Sequence, residues 1–146
     1  MSATTSSVTL QLQPPPLLMH RTRYAKIFVA LAAVVVLFQL GLAAGLPWGT
    51  LAMGGMYPGR LPPLLRAAAV VQAVILVFFA MVVMARAQLA FPGWHSLSRR
   101  LIWLVVVFFA GGTVLNAVTP STNERLLWFP VALALLVCGI VVARGR

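Results

Sequence analysis

The sequence predicts an all-α membrane protein, an antiparallel four-helix transmembrane bundle with a Gly/Pro-rich outer loop. Three observations carry that expectation. Four apolar runs each approach the roughly 20 residues that cross a ~30 Å hydrocarbon core. The 146-residue chain is 62% hydrophobic and 8% charged, whereas a soluble domain carries about a quarter charged residues. The charges that do occur flank the apolar runs, as topogenic charges do in multi-pass chains.

Taken in order, residues 1–24 read as a disordered cytoplasmic tail. Ser, Thr and Gln dominate it, and Pro14-Pro15-Pro16 interrupts it, a composition that cannot build a core. Residues 25–146 form the bundle. The first span, about 27–46, is longer than the 7–15-residue apolar region of a cleaved signal peptide, so it is read as a retained helix. The second, about 64–90, begins after Pro62-Pro63, where proline suits a first helical turn. The third, about 101–118, stops before Pro120. The fourth, about 126–143, precedes Arg144 and carries Pro130 in its first turns. Short connections make neighbouring spans antiparallel.

Eight Lys and Arg residues fall at one end of the spans (Arg21, Arg23, Lys26, Arg86, Arg99, Arg100, Arg144, Arg146) and three at the other (Arg60, Arg66, Arg125). The positive-inside rule then puts both termini in the cytoplasm and the 45–63 loop outside. The net charge of +10 is topogenic and suits anionic headgroups at the cytoplasmic face. Its layout at span ends, with no basic polar face, argues against a nucleic-acid partner.

The segment Gly45–Pro63 holds five glycines and four prolines in nineteen residues. Glycine permits positive φ and proline fixes φ, so the segment suits a compact shape that is neither helix nor strand. Its apolar residues predict a cap against the helix ends, with Trp48, Gly54, Gly55 and Tyr57 as candidate cap positions. Beneath it, Gln39 lies about 10 Å below the outer end of the first span and Gln72 about 12 Å below that of the second. Thr113 and Asn116 lie about 3–8 Å below the outer end of the third. Polar side chains in spans either glue helices together or mark a site. With Arg66 and Glu124 at the rim, these four make a candidate polar pocket facing outward.

Glu124 is the only acid in the chain. Ser121 three residues before it has capping-box spacing. Arg66 in a first helical turn sits at the wrong end of a helix dipole, so it needs Glu124, a lipid phosphate or an anionic ligand as partner. No His lies in a span, and Cys138 is a lone thiol, so the sequence offers no catalytic constellation, metal site or cofactor site. Small residues four apart, such as Gly41 and Gly45 or Gly139 and Ala143, permit close helix contact. Whether they serve one bundle, a homo-oligomer or another membrane-protein partner stays open.

The pattern G-x-P-W-G-x-x-x-x-G-G-x-x-P-G-x-L-P at Gly45–Pro62, with N-A-x-x-P-S-x-x-E-R-x-x-W-x-P at Asn116–Pro130, resembles a group of small bacterial four-span proteins of unknown function. The resemblance covers Lys26 to Ala143 and implies a multi-pass protein of the bacterial inner (cytoplasmic) membrane, with no activity attached. Function therefore reads as a binding or accessory protein with an outward-facing pocket capped by the 45–63 loop. A small dimeric transporter is the first alternative, although no acid lies within a span to couple protons. A lipid-modifying membrane enzyme is the second, although Glu124 with Arg66 is a poor acid–base pair.

Overall fold

The computed structural model describes residues 16–145. Four long helices run α1 (Pro16–Ala44), α2 (Pro63–Arg86), α3 (His95–Val118) and α4 (Thr122–Arg144). Each contains a segment apolar and long enough to cross a membrane, with mean hydropathy between 2.2 and 2.7. Among the described residues there is no strand. The fold is the predicted all-α four-helix membrane bundle.

α1, α3 and α4 begin ahead of their apolar runs, whereas α2 stops short of the end of its own. α1 starts at Pro16, so residues 16–24 are helical and the expected tail is shortened; residues 1–15 lie outside the described structure. α2 ends at Arg86, short of Ala90. α3 starts at His95, ahead of Leu101. Polar residues at the interface still gain intrahelical backbone bonds, so helices continue where hydropathy fades.

α1 packs against α2 and α4, while α3 packs against α4 and less extensively against α2. The buried stripes have helical spacing: Ala25, Phe28 and Ala32 on α1; Ala69, Ala73, Leu76, Phe79 and Val83 on α2; Ile102, Val105 and Phe109 on α3; Leu135, Cys138 and Val142 on α4. Positions three or four apart share one helix face. Phe28 meets the edge of Phe109 at 5.4 Å between centroids, and Phe79 meets Phe108 at 5.0 Å. A second, smaller core joins Leu42 of α1 and Ala69 of α2 to Ala52 and Leu61 of the long loop.

Candidate functional site

The loop end is closed by a folded cap. α1 ends in a Schellman motif: Gly45 at φ +90° lets its N–H reach Leu42 O, and Leu46 N–H reaches Gly41 O, both at 3.0 Å. Arg66 Nε takes the next free carbonyl, Ala43 O, at 2.8 Å. A cation at the start of α2 is thus set against the C-terminal end of α1, where the dipole favours it. The loop then closes on itself, with Gly49 N–H donating to Gly59 O at 2.9 Å. Trp48 stacks on Phe38 at 5.6 Å and lies over Gly41, and Phe38 meets Trp128 at 4.5 Å.

Glu124 fastens this cap to α4. Its backbone N–H donates to the Ser121 side chain at 3.3 Å, the capping bond expected from the spacing. The carboxylate does not turn back to complete a capping box. Oε2 instead accepts the Gly54 N–H at 2.7 Å and the Thr119 hydroxyl at 3.2 Å. Trp128 Nε1 donates to Leu51 O at 2.8 Å, and the Ser121 hydroxyl donates to Thr50 O at 3.3 Å. Gly55 lies against Ser121, and the Tyr57 carbonyl lies against Gly49. Arg66 and Glu124, expected as possible mates, therefore have separate partners: one holds the end of α1 and the other holds the cap.

Among the described residues, no hydrogen bond joins the members of the polar layer under the cap to one another. Thr113 donates to Phe109 O at 2.7 Å and Asn116 to Gly112 O at 2.8 Å, each within α3. Gln39 is buried and Gln72 half-buried, and neither hydrogen-bonds Thr113 or Asn116 among the described residues. Bonding to the carbonyl four residues back satisfies a polar side chain without involving a neighbouring helix.

The opposite end, where α1 begins and α4 ends, is built differently. A cavity of about 610 Å³ opens there, and its lining includes Arg21, Arg86, Gln88, His95, Arg99 and Arg144. That volume lies within the ~300–1,000 Å³ of small-molecule sites. Arg23, Lys26, Arg99, Arg100 and Arg144 are exposed, as side chains that snorkel to the interface should be. Arg21 and Arg86 are not, at 5% and 8% exposure. Arg86 Nη2 donates to Ala143 O at 3.3 Å and to Gly145 O, closing the end of α4. Arg86 Nε, Arg21 Nε and Arg21 Nη2 are buried without a hydrogen-bond partner among the described residues. Buried polar groups normally find partners, and a buried charge without one is costly. The chain's single acid is at the other end of the bundle.

Helical spacing puts these two arginines inside. Arg21 precedes Ala25, Phe28 and Ala32 on the buried face of α1, and Arg86 follows Leu76, Phe79 and Val83 on that of α2. Gln88 closes α2 in a second Schellman motif at φ +60°, with Gln88 N–H on Ala85 O at 3.1 Å and Leu89 N–H on Met84 O at 3.0 Å. Glycine is the usual residue at that position. A left-handed glutamine stores about 1–2 kcal/mol of strain.

No protein-family model, curated protein or solved structure matches this chain.

Proposed function

We propose that this protein is a membrane-embedded binding protein for a phosphate-class anion, held at the end opposite the cap by Arg21 and Arg86 with Arg99 and Arg144 at the rim. One observation carries the reading: four arginines, two of them largely buried, line a cavity of about 610 Å³ whose described lining holds no acid. Planar guanidinium forks match phosphate oxygens in geometry and charge. A bound anion would offset the cationic lining.

In the bilayer this end lies at headgroup depth, because the spans stop at Arg86 and Arg144. The Lys/Arg asymmetry supports placing it on the cytoplasmic side, and the resemblance to small bacterial four-span proteins supports an inner-membrane location. The cap end is better suited to a structural role, since its acid and indole N–H are occupied by loop backbone. Transport coupled to a carboxylate deep in the membrane is poorly served, since the only acid, Glu124, stands in the first turn of α4 and is held by Gly54 and Thr119.

Thermal unfolding of the purified protein in a neutral detergent tests the proposal. Millimolar inorganic pyrophosphate raises Tm for the wild type but not for Arg21→Leu, while equal ionic strength of sodium chloride raises neither. Equal shifts in both proteins would overturn the assignment.

A further inference from the structure

We infer that the anion bound at this site is the phosphomonoester head of an amphiphile, whose apolar stem leaves through a chamber beside the arginines. This deepens the binding assignment above and rests on it. A second cavity of about 400 Å³ is lined by Ala85, Gln88, Leu89, Ala90, Pro92 and His95. Gln88 and His95 also line the arginine cavity, so the two chambers adjoin. The first presents guanidinium groups; the second presents mostly methyl, methylene and ring carbon.

A free inorganic anion has no use for the second chamber. A lipid phosphate has a use for both, with its phosphate facing Arg21 and Arg86 and its stem against Ala85, Leu89 and Pro92. Charge narrows the head further. Four arginines line the cavity, and among the described residues no acid joins them. The phosphodiester of an ordinary bilayer lipid supplies one negative charge, whereas a phosphomonoester carries about −1.5 to −2 at neutral pH. Gln88 sits at the junction in a left-handed conformation, and strained backbone of this kind gathers at ligand clamps.

The test compares three probes on the full chain in neutral detergent, read by native mass spectrometry and by Tm. Lysophosphatidic acid has both head and chain, glycerol 3-phosphate has the head alone, and lysophosphatidylcholine has the chain with a zwitterionic head. The expected order is lysophosphatidic acid at least tenfold tighter than glycerol 3-phosphate, with lysophosphatidylcholine weakest. Leu89→Asp, at a half-exposed position, narrows the gap between the first two. Arg99→Gln combined with Arg144→Gln weakens both phosphate probes, at exposed sites that do not threaten folding. If glycerol 3-phosphate binds as tightly as lysophosphatidic acid, the amphiphile inference fails and the anion site stands. If no probe binds, or if lysophosphatidylcholine matches lysophosphatidic acid, both fail.

Discussion

Arg21 is the residue on which stability and function pull apart. Its guanidinium is buried, and two of its nitrogens lack partners among the described residues. Replacing an uncompensated buried charge by an apolar side chain of similar reach removes a desolvation cost. Arg21→Leu is therefore expected to stabilise the ligand-free protein by about 1–3 kcal/mol while abolishing the Tm response to pyrophosphate. A thermal melt with and without anion reads both effects, and a destabilised variant would mean that the arginine already has a partner. Gln88 predicts a similar split. Gln88→Gly relieves about 1–2 kcal/mol of left-handed strain, so Tm without ligand should rise, and loss of the amide at the chamber junction should weaken binding. Neither residue declares itself to a reading of composition. Charges at span ends look topogenic, and only their place in the buried stripes separates Arg21 and Arg86 from their exposed neighbours.

At the scale of elements, the cap is a small structure with its own fastenings, and each can be broken separately. A Cβ on Gly49 would stand 1.9 Å from the Tyr57 carbonyl oxygen and 2.8 Å from that of Gly59. Backbone atoms cannot swing aside as a side chain does. Gly49→Ala should accordingly cost at least about 1–3 kcal/mol, in the manner of an overpacked core, and raise hydrogen exchange from Trp48 to Tyr57. Unchanged exchange would mean that the loop tolerates opening. Glu124→Ala removes the acceptor of the Gly54 N–H and should cost about 1–3 kcal/mol. Arg66→Ala uncovers the Ala43 carbonyl and should cost a similar amount. Because the two side chains have no common partner, the double variant should be additive within about 0.5 kcal/mol. Strong coupling would instead show that they work as a pair. The sequence made the cap legible, because Gly and Pro cannot extend a helix and the apolar residues between them need shelter. It left open where Glu124 would point, since a carboxylate at that spacing can equally turn back on its own helix.

For the whole molecule, four spans and their antiparallel order were readable from hydropathy and connection length alone. The helix ends were less readable, as α1 shows by running through Arg21 and Thr22 to Pro16. A helix continues wherever its backbone bonds are better than those water offers, whether or not the side chains are apolar. The polar layer of Gln39, Gln72, Thr113 and Asn116 illustrates a further limit. Depth along each span follows from counting residues, but whether a side chain bonds its own helix or a neighbour depends on rotamer and packing. Orientation in the membrane is checked by thiol labelling on a Cys138→Ala background. Met56→Cys in the exposed cap should label from outside intact cells and His95→Cys only after permeabilisation; the reverse pattern would invert the topology.

The central claim, that the buried arginines form an anion site, is tested most directly by locating an electron-dense phosphate analogue. Crystals soaked in tungstate should show an anomalous peak within hydrogen-bond reach of Arg21 and Arg86, lost in Arg21→Leu crystals treated identically. Peaks confined to exposed Arg60 or Arg125 at the cap end, with the Arg21–Arg86 cavity empty, would contradict it.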